Sequence, residues 1–293
     1  MPWTVVLNPA AGRMRRRDLA PALRALVRQA DVDAEVVVSS SRDDAELLAR
    51  KAAADGRDLV AAGGDGTVGL LAGVAAETDR RLAIVPVGAG NDFAVTLGYD
   101  RTRPLDAIGV LADGRDLTVD LGMVNGHWYT CVTCSGFDAE ANRWANTVER
   151  LSGTPLYVAA VFRTLADYSP RDFRITVDDD VYELRAWMVA VGNSRAYAGG
   201  MRIVPDARMD DGLLDVCVIG DISRAQLVRH FPKVFGGTHL SVPGISSYRG
   251  ARVCVETPGR DDMEVWADGE RVGPLPATME PKPGALRVRV PAS

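Results

Sequence analysis

The stretch "DLVAAGGDGTVGLLAGVAA" (58–76) decides the fold. It opens on a short apolar run, DLVAA (58–62), and closes on TVGLLAGVAA (67–76), whose composition and length read as a helix. Between them Gly63, Gly64 and Gly66 surround Asp65. A strand, a glycine turn and a helix in that order make half of a βαβ unit. Working outward, TVVLN (4–8), AEVVV (34–38) and RLAIVPV (81–87) read as further strands. Asp18 is placed to cap a helix carrying Leu19, Leu23, Leu26, Val27 and Ala30, and DDAELLARKAA (43–53) reads as another. The alternation predicts a parallel sheet with helices on its faces.

After about residue 115 strand-like segments follow one another: LTVDLGMVN, HWYTCVTC, FRITVDDDVYEL, AWMVAVGN, LLDVCVIG, ARVCVE and MEVWADGE. Helical stretches are fewer, near 138–149, 155–167 and 223–234. This half reads as an antiparallel, β-rich, sandwich-like domain. VDDDV (177–181) fits an acidic hairpin turn better than a carboxylate cluster for metal. The last apolar run, ALRVRV (285–290), follows a Pro-rich crossing, GPLPATMEPKPG.

The chain has 293 residues, 47% of them hydrophobic, which is ample for a core and natural for two domains. Its net charge of −5 gives no global case for nucleic acid as a partner. The local run RMRRR (Arg13 to Arg17) is either a solvated helix start or a contact for anions or a membrane surface. No apolar run approaches the roughly 18 residues that span a bilayer. MPWTVVLNP reads as a first strand, not a signal peptide, so the expectation is a cytoplasmic protein, at most peripheral at the inner membrane face. Cys131 and Cys134 have CxxC spacing without a second pair, and Cys217 and Cys254 stand apart, so all four read as reduced core cysteines.

Three small-residue loops fall at carboxyl ends of the expected parallel strands: NPAAG (8–12), GGDGT (63–67) and PVGAGNDFA (86–94). Open α/β sheets bind ligands at that edge. Glycine lets backbone approach an anion, and the N–H groups of a following helix point at it. No Walker A loop is present. Near the C-terminus, WADGE sets Asp268 and Glu270 either side of Gly269, as a hairpin turn or as two carboxylates able to take a hydroxyl proton. PDARMDDGLLDV (205–216) groups Asp210, Asp211 and Asp215 before a strand, as a capped turn or a seat for a hard cation.

The segments GGDGTV, PVGAGNDFA, GFDAE, VGNSRAYAGGMRIVPDARMDDGLLDV and WADGE resemble, in order, the motifs of the bacterial diacylglycerol kinase-like lipid kinases. That resemblance implies an α/β nucleotide-binding domain over residues 1–118, a β-rich domain over 119–278 that completes the active site, and a segment 279–293 returning to the first domain. It places ATP against Asn8, Pro9, Ala10, Ala11, Gly12, Ser39, Gly63, Gly64, Asp65, Gly66, Thr67, Val68 and Gly69, with Ala89, Gly90, Asn91 and Asp92 from the second loop. Ser39 stands where the family carries threonine. The family's proton acceptor falls on Glu270, with Asp268 beside it, and Asp65 serves catalytic Mg²⁺ or the acceptor hydroxyl. A structural Mg²⁺ site falls on the Asp211 carboxylate with the Arg208 and Leu213 carbonyls.

The implied reaction moves the γ-phosphoryl group of ATP to a lipid alcohol at a membrane surface, diacylglycerol by default. A homodimer is an expected partner state. Two departures stand out: Gly69 and Leu70 replace the family's Asn and Glu, and Ala89 replaces a Thr. GDGTVGLL also leans toward the NAD kinase form of the loop, so a soluble acceptor is the second reading and a catalytically weak nucleotide- or lipid-binding protein the third.

Overall fold

A computed structural model describes residues 2–11, 16–145, 147, 154–259 and 262–292. The chain divides into two compact units, Met1–Val119 with Gly284–Ser293, and Asp120–Pro283.

The first unit is built from β1 (Trp3–Leu7), α1 (Arg16–Gln29), β2 (Ala34–Val38), α2 (Arg42–Ala54), β3 (Asp58–Gly63), α3 (Asp65–Glu77), β4 (Arg81–Pro86), α4 (Asp92–Thr96), α5 (Ala107–Asp113) and the start of β5 (Arg115–Val124). β2, β1, β3 and β4 pair in that order, all parallel. β1 and β3 are buried on both faces, which is why they read as unbroken apolar runs. The exception proves instructive: Asp58 is 2% exposed, and Arg81 meets its carboxylate at 2.7 Å. A buried carboxylate without that partner would cost several kcal/mol. α1 begins at Arg16, so Asp18 lies inside the helix and not at its cap. Ser41 caps α2, its hydroxyl accepting from the Asp44 N–H.

The second unit follows with β6 (His127–Tyr129), β7 (Val132–Gly136), α6 (Phe137–Ala145), α7 (Thr154–Asp167), β8 (Arg171–Val177), β9 (Asp180–Gly192), β10 (Leu214–Gly220), α8 (Arg224–His230), β11 (Ile245–Gly250), β12 (Val253–Glu256), β13 (Glu264–Ala267), β14 (Glu270–Pro274) and the first half of β15 (Ala277–Val290). Its strand pairs are antiparallel, running β14, β13, β7, β9, β8, β12 and β15, with β10 on β9 and β11 on β10. Phe173, Ile175, Val189, Val216, Val255 and Val265 fill its core. Together the two units form the expected α/β plus β-rich sandwich-like class.

Three local expectations are corrected. HWYTCVTC is two strands, β6 and β7, because the chain leaves the ladder at Thr130–Cys131 to meet a carboxylate. The Pro-rich crossing is itself strand: β15 runs unbroken from Ala277 to Val290, through Pro281 and Pro283. Its early residues pair with β12 and its late ones run parallel to β4, Arg287 opposite Arg81. The expected helix over 223–234 ends at His230 and tightens into a 3-10 turn over Phe231–Val234. VDDDV forms the β8–β9 turn, where the Asp178 carboxylate accepts from the N–H groups of Ala251 and Arg252. The four cysteines are unbridged, and Cys131, Cys134 and Cys217 are buried.

Candidate functional site

In the first unit the strand register brings the three loops level. Leu7 lies opposite Ala62 and Val38, and Gly63 opposite Pro86. The ladder continues past the strand ends: Asn8 N–H donates to Ala62, Ser39 N–H to Leu7 and Gly88 N–H to Gly63. Asn8, Ser39, Gly64 and Gly88 therefore share one carboxyl edge.

The glycine segment is shorter than a loop. β3 ends at Gly63, Gly64 alone is extended, and α3 starts at Asp65. Two glycines are required by contact. A Cβ on Gly88 would lie 2.2 Å from the Gly64 Cα, and one on Gly90 would lie 2.6 Å from Asp65 Oδ2. The Asp65 carboxylate explains the crowding. Its Oδ2 accepts from Asn91 N–H at 2.8 Å and its Oδ1 from Asp92 N–H at 2.7 Å. A carboxylate is well placed at a helix start, where unpaired N–H groups converge. Asn91, left-handed at φ 59°, closes the second loop: its side-chain oxygen accepts from Gly88 N–H and its amide donates to the Gly88 carbonyl.

Asn8 donates to the Thr67 hydroxyl at 3.1 Å, and its own oxygen accepts from Ala10 N–H. Ala11 N–H donates to the Asn8 carbonyl at 3.2 Å, and Pro9 is half-buried. Ser39 spends its hydroxyl proton on the Leu7 carbonyl and is buried. Val68 is buried in the core, so it reaches a ligand with backbone at most. Gly66, Gly69 and Leu70 are half-buried on α3, and Ala89 is exposed at the tip of the second loop. Gly12 and Arg13 to Arg15 lie outside the described residues, and Arg16 and Arg17 fall on α1.

In the second unit Asp268 and Gly269 form the turn between β13 and β14, both with positive φ. The Asp268 carboxylate accepts from the N–H groups of Thr130, Cys131 and Val132 at 2.6, 2.9 and 3.1 Å, and from the Thr130 hydroxyl at 2.8 Å. Burial pushes its carboxyl above the ordinary range, and those donors hold it back. Glu270, at the first position of β14, is exposed. The pair is thus divided: one carboxylate is enclosed by backbone, the other belongs to an exposed residue.

The DDGLLD turn is braced separately. Asp120 accepts from Gly212 N–H at 2.8 Å and donates its own N–H to the Met209 carbonyl at 2.7 Å. Asp211 accepts from Leu213 N–H at 3.1 Å and forms an ion pair with Arg249. The Arg208 side chain turns to Asp210. No cluster of three or more His, Cys, Asp or Glu suited to a metal occurs among the described residues. A cation on Asp211 must share that carboxylate with the Arg249 guanidinium, so the donor set fits Mg²⁺ only with carbonyls and water making up the shell.

One residue escaped the sequence reading. Asp138, from GFDAE, is 1% exposed at the start of α6. It accepts from the Tyr197 hydroxyl at 3.2 Å and the Asn142 amide at 3.0 Å. Burial pushes its carboxyl up to about 6. Its signals in sequence were its place in GFDAE, one of the segments that carry the resemblance, and a carboxylate inside an apolar strand-to-helix junction.

Comparison with known proteins settles the family. Residues 2–124 match the diacylglycerol kinase catalytic domain, and residues 131–290 match the YegS C-terminal NAD kinase beta sandwich-like domain. A Mycobacterium tuberculosis protein named diacylglycerol kinase is 36% identical over 98% of this chain and 94% of its own length. A Staphylococcus epidermidis protein of the same name is 26% identical, over 93% and 87%. The crystal structure of a diacylglycerol kinase from Bacillus anthracis shares the fold with a TM-score of 0.76 at 23% identity, covering 99% of this chain and 96% of its own. The chain belongs to the diacylglycerol kinase family. It is a kinase-family enzyme, and no helix among its described residues is long and apolar enough to cross a membrane.

Proposed function

We propose that the chain is an ATP- and Mg²⁺-dependent lipid kinase that phosphorylates the hydroxyl of a lipid alcohol, diacylglycerol giving phosphatidic acid. The observation that carries the reading is the alignment of Asn8, Ser39, Gly64 and Gly88 on one sheet edge, braced by Asp65, in a chain whose relatives are named diacylglycerol kinase.

Phosphoryl transfer asks mainly for positioning and charge neutralisation. In this reading the triphosphate lies against the start of α3, ahead of the Thr67 and Val68 N–H groups that already donate to the Gly64 carbonyl. The start of α4 is not on offer, because Asp65 already occupies the N–H groups of Asn91 and Asp92. Bound Mg²⁺ neutralises charge on the transferring phosphoryl group. Asp65 would hold the catalytic Mg²⁺, and Asp211 with the Arg208 and Leu213 carbonyls would hold a separate, structural one. Glu270 accepts the proton of the lipid hydroxyl as its oxygen bonds to the γ-phosphorus. The bond from that phosphorus to the bridging oxygen breaks and ADP leaves. Asp268 fixes the turn that presents Glu270.

A second reading, a soluble acceptor of the NAD type, draws on the match to the NAD kinase-like sandwich domain and on the Gly69 and Leu70 departures. Radiolabelled ATP offered with a panel of lipid alcohols, and with NAD, tests both. Label in phosphatidic acid is expected; label in NADP alone would sink the lipid reading, and no label in any acceptor would leave a nucleotide-binding protein.

A further inference from the structure

Asn193 lies directly past β9, in the segment VGNS, and the proposed chemistry gives it no part. It is fully buried. Both of its amide hydrogens are engaged: Nδ2 donates to the Asp120 carbonyl on β5 and to the Thr130 carbonyl, each at 3.0 Å. Its amide oxygen has no partner among the described residues. Turning the amide over would set that oxygen against two carbonyl oxygens, so the side chain serves as a double donor.

The groups it serves belong to the break between β6 and β7. A buried break in a ladder leaves backbone groups that must find partners elsewhere. From Thr130 to Val132 all three N–H groups donate to the Asp268 carboxylate. The carbonyls are met mostly from the other side. That of Thr130 accepts from Asn193 Nδ2, and that of Cys131 from the N–H groups of Asn193 and Ser194 at 2.8 and 3.1 Å. That of Val132 accepts from Asp268 N–H at 3.0 Å. The break is therefore held between two clamps, Asp268 on its donors and Asn193 with Ser194 on its acceptors. Asp268 takes its place from the break, and Glu270 follows two residues later at the start of β14.

Few side chains could stand in for Asn193. Asp would put a carboxylate against two carbonyls, Ser donates once and Leu not at all. Lys or Arg could donate twice only by burying a charge. We propose that Asn193 is a positioning residue: by tying the Thr130–Val132 break to β5, it fixes the turn that presents Glu270 to the acceptor hydroxyl. The proposal rests on the lipid-kinase reading for what Glu270 does, and on hydrogen bonds alone for how its turn is held.

The test is a double-mutant cycle with a structural readout on the same full-length proteins. Asn193→Ala removes both side-chain donors, and Asn193→Ser returns one. Turnover of diacylglycerol should fall at least about tenfold in Asn193→Ala and less in Asn193→Ser, with the KM for ATP unchanged, since a misplaced catalytic group costs rate up to about 10²-fold. A loss that acts through Glu270 has nothing left to remove once Glu270 is gone. In the Glu270→Gln background Asn193→Ala should therefore lower the residual rate by less than about twofold. Amide exchange should become roughly tenfold faster at Thr130–Val132 and Asp268, and stay unchanged in β10 and β11.

Wild-type turnover in Asn193→Ala overturns the proposal. So does an equal rate loss in both backgrounds, which would make Asn193 a support of the fold at large, and so does a chain that folds with neither Ala nor Ser at this position. Failure of the kinase reading looks different. No transfer to any acceptor by the wild type, or full turnover in Glu270→Gln, defeats that reading. Unchanged exchange at Asp268 in Asn193→Ala defeats the positioning role whatever the activity.

Discussion

Asp65 stands at the first residue of α3 and reaches to the start of α4; Asp268 stands in a left-handed turn and reaches to the break between β6 and β7. Each unit thus uses a carboxylate from a glycine-flanked motif to gather backbone N–H groups from elsewhere in the chain. The settings differ. Asp65 holds two consecutive N–H groups at a helix start, where the backbone already favours negative charge. Asp268 holds three, and a hydroxyl, in the middle of an interrupted sheet. A carboxylate in a catalytic-looking motif can therefore be spent on the fold, and the exposed one, Glu270, is the better candidate for proton transfer.

Glu270→Gln breaks that comparison most sharply if it is wrong. A general base supplies about 10²–10⁴-fold, so turnover should fall by that order. Because Glu270 is exposed, the unfolding free energy from urea titration should stay within about 0.5 kcal/mol of wild type. Full turnover in the variant removes Glu270 from the role.

Asp268→Ala should show the opposite profile. It strands the N–H groups of Thr130, Cys131 and Val132 and the Thr130 hydroxyl, each unsatisfied buried donor costing about 1–3 kcal/mol. Urea unfolding reads this directly. Turnover should fall too, through the turn that carries Glu270. A variant as stable as wild type would mean that water replaces the carboxylate at no cost.

The same contrast explains what the sequence could reveal. β1, β3 and β4 were legible because a strand buried on both faces must be apolar throughout. The edge alignment of NPAAG, GGDGT and PVGAGNDFA followed from strand order alone. The start of α3 was not legible, because glycines signal a turn and the helix begins at Asp65 for a reason in α4, 26 residues away. The split of HWYTCVTC was hidden likewise: its cause is Asp268, 138 residues from Thr130. Period and propensity report neighbours along the chain, and both clamps act between segments that only folding brings together.

Asp138 sharpens the comparison as a third enclosed carboxyl, whose partners are the Tyr197 and Asn142 side chains. Burial raises it from 3.8 to about 6. A carboxyl raised on folding stabilises the protein fully below its unfolded value, and that contribution is lost as pH climbs through its folded value. Wild type should therefore lose about 3 kcal/mol relative to Asp138→Asn between about pH 4 and pH 6. Urea unfolding of both proteins across that window checks the difference. Parallel curves would show that Asp138 titrates normally.

Asp65→Asn carries the smallest expected effect and decides what the opening motif is for. The amide keeps one oxygen for one of the two N–H groups and turns its own donor toward the other. One of Asn91 and Asp92 thus loses its acceptor, at a cost of about 1–2 kcal/mol. If the clamp is the whole role, stability falls by that amount, the second loop loosens, and the Mg²⁺ concentration for half-maximal turnover stays unchanged. If Asp65 also binds the metal, that concentration rises, because the amide oxygen is a neutral and weaker ligand for a hard cation. Measuring unfolding and the Mg²⁺ dependence on the same preparation separates the two, since a loosened loop alone changes the first without shifting the second.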